Sequence, residues 1–151
     1  MEQPIIEIKN AVIQKLKGLD PETDVFFEKI KETDQELEKS RTWYFLSLIP
    51  GQQGTVDGIF TDVSVLVDIA YHEKSERNTD YLMKGAELDA VMRPVLRFGD
   101  RAITIHNADI KVVDHVLHYS FSLPFRIANV KEQEYDRMGE LEVGLKKEDS
   151  R

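Results

Sequence analysis

From Leu117 to Phe125 every residue obeys one alternation: Leu117, Tyr119, Phe121, Leu123 and Phe125 are apolar, while His118, Ser120, Ser122 and Pro124 between them are polar or small. Successive side chains of a β-strand point to opposite faces, so a strict period of two predicts a strand with one dry side and one wet side. A second run repeats the pattern. Val63, Val65, Val67, Ile69 and Tyr71 share one side, opposite Asp62, Ser64, Leu66, Asp68 and Ala70. Two such strands commit the chain to a sheet whose apolar face needs a cover. The opposite face, with Ser64, Asp68, His118, Ser120 and Ser122, is too polar for a core and meets water or a partner.

Two segments have the helical spacing to provide that cover. Ile5, Ile8, Val12 and Leu16 recur at intervals of three and four, after Pro4 and ahead of Gly18, which are residues suited to a helix start and end. Residues 78–93 return to that spacing through Tyr81, Leu82, Leu88, Val91 and Met92, continued by Val95, and Pro94 ends or kinks the helix. Val25 to Ile30 reads as a short strand and Trp43 to Ile49 as a strand stopped by Pro50 and Gly51. Lys31 to Thr42 is a solvated loop, and Gln52 to Gly58 a mobile connection. Arg101 to Ile127 reads as two strands joined at Asp114-His115, a turn that needs positive φ, which histidine tolerates. The expected fold is α+β, an antiparallel or mixed sheet of about five strands with two helices packed on one face. Residues 1–130 form the domain and 131–151 a charged C-terminal tail.

Composition removes whole classes of function. The 151 residues contain no cysteine, so disulfide scaffolds, thiolate zinc sites and cysteine nucleophiles are excluded. No run approaches a membrane span, and the chain is expected to be soluble and unprocessed. A formal net charge of -8, spread along the chain, argues against a dedicated nucleic-acid binder.

No catalytic or cofactor motif stands out. His72, His106, His115 and His118 lack metal-ligand spacing, and His115 and His118 would project to opposite faces of a strand, so turn and surface positions explain them better than ligation. Gly51, Gly54 and Gly58 match no phosphate-binding loop, and no nucleophile elbow occurs. Asp62 with Asp68 is weak evidence for acid–base work in so acidic a chain. Arg93, Arg97 and Arg101 could bind an anion, complement a helix C-terminus or pair with a neighbouring subunit. No catalytic residue, metal ligand or cofactor is therefore assigned. A small metal- or ligand-dependent enzyme using His106, His115 or His118 is the alternative from another class.

The segment Asn10 to Leu16, the strand Trp43 to Leu48 after a Glu-rich connection, the long alternating strand, the second helix and the hairpin Val112 to Phe121 together resemble the phage tail terminator family of long-tailed phages and prophages. The resemblance covers most of residues 5–126. It rests on element order and on the hairpin pattern Val113-Asp114-x-x-Leu117-His118-x-x-Phe121, with Asp114-His115 where the family often has Asp-Gly. It implies a virion protein of the tail-neck region, made in the bacterial cytoplasm, that forms a ring, expected to be a hexamer, on the tail tube. Its partners would be further copies of itself, the major tail tube protein and the head–tail connector; DNA would pass through without specific binding, and no membrane is involved. An adaptor, stopper or minor capsid protein is the alternative within this class. For subunit or tube contacts the candidates are Gln52, Gln53, Val56, Arg93, Arg97 and Arg101. Asp62, Ser64 and Asp68 are candidates for the channel lining, where negative charge would keep phosphates from sticking.

Overall fold

The computed structural model describes residues 2–27 and 41–129. Helix α1 (Glu2–Leu19) leads into strand β1 (Asp24–Phe27), followed by β2 (Trp43–Thr55), β3 (Phe60–His72), helix α2 (Asn78–Met92), β4 (Val95–Phe98), β5 (Arg101–Thr104), β6 (Ala108–Val113) and β7 (Val116–Ala128). The larger sheet has the order β1-β2-β3-β7-β6, and β4 with β5 forms a separate two-stranded sheet. β1 runs parallel to β2, whereas β6 and β7 are antiparallel, so the sheet is mixed and the fold is α+β. Most of the chain up to Gln52 and from Ser64 to Phe125 belongs to one compact unit. A second unit contains residues 53–63 and, among the described residues, 126–129.

The periodicities map onto burial. Ile8, Val12 and Leu16 of α1 are fully buried, as are Val65, Val67 and Ile69 of β3 and Leu117, Tyr119 and Leu123 of β7. Burying these side chains is the main favourable term holding the unit together, at roughly 1.5–3 kcal/mol for each large apolar group.

Polar contacts register the helices on that face. The Tyr44 hydroxyl donates to Asp20, just after α1, and Lys84 of α2 donates to the same carboxylate oxygen at 2.7 Å. Tyr119 donates to Asp89 at 2.8 Å, and Lys15 of α1 donates to the Val91 carbonyl at 3.2 Å. The Tyr81 hydroxyl donates to the carbonyl of His115, which fixes the first turn of α2 to the β6–β7 hairpin. Each of these groups is partly desolvated, so each needs its partner.

The two-residue turn at Asp114-His115 is as expected: Val113 pairs with Val116, and both turn residues have positive φ, at 52° and 63°. That is the arrangement whose twist matches the strands it joins.

Four expectations are corrected. β2 does not stop at Pro50 and Gly51 but continues to Thr55, so the expected mobile connection at Gln52 to Gly58 is mostly strand and hairpin tip. Among the described residues the β1–β2 ladder runs from Asp24 opposite Trp43 to Phe27 opposite Leu46, so Pro50 interrupts no part of it. Gly51 is required by close approach, since a Cβ there would stand 2.9 Å from the Ser64 carbonyl oxygen. Residues 95–104 hold a small hairpin that was not expected. Its turn has Gly99 at φ 56°, packed against the Glu7 side chain. Leu82, expected on the apolar face of α2, is exposed, and the buried line is instead Tyr81, Gly85, Leu88 and Met92. The second sheet face is not polar throughout either: Trp43, Ala70 and His72 are buried on it, with the Trp43 and His72 rings stacked at 5.4 Å. The expected loop at Lys31 to Thr42, apart from its last two residues, and the tail at 131–151 lie outside the described residues.

Candidate assembly surface

Without a catalytic motif, an exposed surface that is both apolar and braced is the feature to look for. The β2–β3 hairpin tip is such a surface. From Gln53 to Phe60 every residue is exposed, including Val56, Ile59 and Phe60. The sequence Asp57-Gly58 makes the turn. The Asp57 carboxylate folds back to accept hydrogen bonds from the backbone N–H groups of Ile59 at 2.7 Å and Phe60 at 2.9 Å. These bonds hold its pKa below the ordinary carboxylate range, so it remains charged near neutral pH. The N–H groups of Val56 and Asp57 both donate to the Phe60 carbonyl and close the tip.

Asn129, just past β7, clamps the same tip from outside. Its backbone N–H donates to the Ile59 carbonyl at 2.7 Å, its side-chain amide donates to the Gly58 carbonyl at 3.0 Å, and its side-chain oxygen accepts from the Thr61 hydroxyl at 2.6 Å. Arg126 completes the brace. Its guanidinium meets Asp62 at 2.8 and 3.3 Å and lies 6.0 Å from the centre of the Phe60 ring. The hydrogen bond from Arg126 holds the Asp62 pKa below its usual value. The tip thus presents an apolar, singly charged loop in a fixed conformation, which reduces the ordering entropy a partner contact would cost.

The other residues singled out from sequence separate into different settings. Gln52 and Gln53 are exposed near the end of β2, and the Gln52 backbone N–H donates to Ser64 Oγ at 2.9 Å. Ser64 is half-buried there, and Asp68 lies 3.2 Å from the His118 Nδ1 on the polar sheet face. Asp62 belongs to the tip and is already paired with Arg126. Arg93 caps the end of α2, where its guanidinium grips Asp89 at 2.6 and 2.8 Å; this raises the Arg93 pKa and lowers that of Asp89. Arg97 is exposed on β4, and Arg101 lies over the Phe125 ring at 5.4 Å. The three arginines therefore do not act as one cation cluster.

The histidines are also dispersed among different roles. His72 is buried, with Nδ1 2.7 Å from the Arg41 carbonyl oxygen; His106 is exposed, and His115 occupies the hairpin turn. Among the described residues no group of three or more His, Cys, Asp or Glu side chains could hold a metal ion. Also among them, no helix is long and apolar enough to cross a membrane.

Sequence reasoning marked Asp57 and Gly58 as turn residues and Val56 and Asp62 as candidates. It missed Arg126, Asn129 and Ile59. Arg126 follows Phe125 on the polar side of the alternation, so its exposure was legible. Its pairing with Asp62, far away in the sequence, required the strand register.

Comparison with known proteins gives one family: its model, described as phage tail terminator protein, matches residues 7–135. No curated protein matches the chain. One solved structure is similar over 81% of this chain and 93% of its own, at 16% sequence identity and a TM-score of 0.44, a likeness too shallow to carry anything further.

Proposed function

Since the chain belongs to the phage tail terminator protein family, and so is a structural component of a phage tail, we propose that it assembles as a ring on the end of the tail tube. There it stops tube polymerisation and offers the head connector a docking surface. The observation that carries this reading is the braced hairpin tip, where Val56, Ile59 and Phe60 are held exposed by Asp57, Asn129 and Arg126. A lone subunit gains nothing by fixing apolar side chains in water, whereas a subunit built to meet a neighbour does. Contacts at Gln52, Gln53 and Val56 would belong to the same tip surface. In this reading Asp68 supplies negative charge along the channel through which DNA passes, with Ser64 as a neutral polar group and Asp62 balanced by Arg126.

The experiment is direct. Purified protein is sized by light scattering across a concentration series and imaged by negative stain, alone and with growing tube protein. Rings and tubes of uniform, capped length are the expected result. A protein that stays monomeric at high concentration in both settings, with tubes growing unchecked, overturns the proposal. Reversal of the charges at Asp62 and Asp68 should slow DNA ejection without loss of assembly if these residues line the channel.

A further inference from the structure

β6 closes the strand order β1-β2-β3-β7-β6, so among the described residues its outer side has no strand partner. Which of its backbone groups point outward follows from the hairpin. A two-residue turn with positive φ at Asp114 and His115 makes Val113 and Val116 the closing hydrogen-bonded pair, and in an antiparallel ladder such pairs alternate with pairs that are not bonded. The N–H and C=O groups of Val113, Lys111 and Asp109 therefore turn toward β7. Those of Ala108, Ile110 and Val112 turn outward.

The side chains divide with the same period. Ile110 and Val112 lie on the helix-covered face, opposite Tyr119 and Leu117, yet remain 47% and 42% exposed, and Gly85 of α2 lies against Ile110. Leu82, three residues before Gly85 on that side of the helix, is 64% exposed. Asp109 and Lys111 share the other face, opposite Ser120 and His118. Both are exposed, and neither is in an ion pair among the described residues. Open edges are normally blunted by proline, a bulge or a charge. β6 has no proline, and its two charges are of opposite sign.

We propose that the free chain covers this edge with the β6 of a second copy, antiparallel about a two-fold axis at Ile110. Open backbone groups must meet open backbone groups, so Ala108, Ile110 and Val112 of one copy pair with even-numbered residues of the other. Charge chooses among the registers that remain. Centred on Lys111 the two strands would set ammonium against ammonium, and centred on Asp109 carboxylate against carboxylate. Registers centred on Ala108 or Val112 leave half or more of β6 unpaired. Centred on Ile110, Asp109 of each copy is opposite Lys111 of the other at the Cα spacing of about 4.5 Å of a non-bonded pair, so the strand is complementary to itself. In that register Asp114, in the turn beyond the last pair, is across from the exposed His106, and no two carboxylates face each other. On the covered face Ile110 meets Ile110, and Val112 meets Ala108. Helix α2 is anchored one strand in from the edge, by Asp89 to Tyr119 of β7 and by Tyr81 to His115. With strands about 4.8 Å apart, the two copies of α2 stand farther from each other than the about 8–10 Å of packed helices, which leaves room for both Leu82 side chains. The contact is isologous and stops at two copies. It uses no residue of the hairpin tip and does not depend on the ring reading.

Charge exchange tests the register. Below the concentration at which it forms rings, the wild-type chain should sediment as a dimer. Asp109→Lys and Lys111→Glu, both at exposed positions, should each keep the circular dichroism spectrum and raise the dimer dissociation constant by at least about tenfold. An equal mixture of the two variants should dimerise again, because each supplies the charge the other lacks, and the doubly exchanged chain Asp109→Lys/Lys111→Glu should dimerise alone. In the wild-type chain the backbone amides of Ile110 and Val112 should exchange with solvent more slowly as concentration rises. Single variants that dimerise like wild type, a mixture that stays monomeric, or amide protection that does not change with concentration, as cover by residues 131–151 of the same chain would give, overturns the edge pairing. So does a wild-type chain that is monomeric until it forms rings, a result that leaves the ring reading standing.

Discussion

The helix-covered face of the sheet and the hairpin tip are held by different physics. On the covered face, Val65, Val67, Leu117 and Tyr119 are out of water and the polar groups among them are paired across elements distant in sequence, as Tyr119 is with Asp89. At the tip no residue between Gln53 and Phe60 is buried, and the conformation is set by local backbone hydrogen bonds to Asp57 together with hydrogen bonds to Asn129 from beyond β7. The first arrangement gains its free energy within one chain. The second fixes a shape whose apolar groups gain burial only when another surface arrives, so conformational order and thermodynamic stability come apart.

Perturbation should expose that contrast. Leu88→Ala, in the fully buried line of α2, should cost about 2–5 kcal/mol, read as a loss of denaturation midpoint. Tyr119→Phe should cost about 1.5–3 kcal/mol by removing a hydrogen bond to the Asp89 carboxylate, with the fold otherwise intact by circular dichroism. His115→Gly should move the midpoint the other way, by about 1 kcal/mol at most, because glycine adopts positive φ without the steric cost histidine bears there.

Acid separates the two regions further. The pKa values of Asp89 and Asp57 are both lowered in the folded chain, the first by the hydrogen bond from Arg93 and the second by backbone N–H groups. The stabilisation from each is present above the ordinary carboxylate value of about 3.9 and is lost as pH falls through the lower folded value. At Asp89 the loss should register in the global melting curve. At Asp57 it should appear only as faster amide exchange at Ile59 and Phe60, and Asp57→Ala should produce that same local signature at neutral pH with an unchanged midpoint. A global change from Asp57→Ala would erase the distinction between the regions.

Much of the covered face was legible before any coordinates. The alternation from Leu117 to Phe125 and the spacing of Ile8, Val12 and Leu16 are local patterns, and burial follows them because one face of each element must leave water. The Asp114-His115 turn was legible for the same reason, since positive φ is a property of the residues in it. Pro50 and Gly51 misled because either residue can also sit inside a strand, and Gly51 is placed there by the close approach of the Ser64 backbone. Leu82 misled because α2 presents Gly85 to Ile110, and a helix face is defined by what it meets.

For the candidate assembly surface, the sequence by itself marked Asp57 and Gly58 as turn residues, put Val56 beside them and left open what Arg93, Arg97 and Arg101 do. Tertiary structure decided the partnerships. It set Arg126 against Asp62, placed Asn129 on the tip carbonyls, bound Arg93 to its own helix through Asp89, and left β6 at the edge. Periodicity encodes which side of an element is dry, because that depends on neighbours in the chain. Which strand lies at an edge, and which charge meets which, depends on strand order and register, and these come from the packing of the whole sheet.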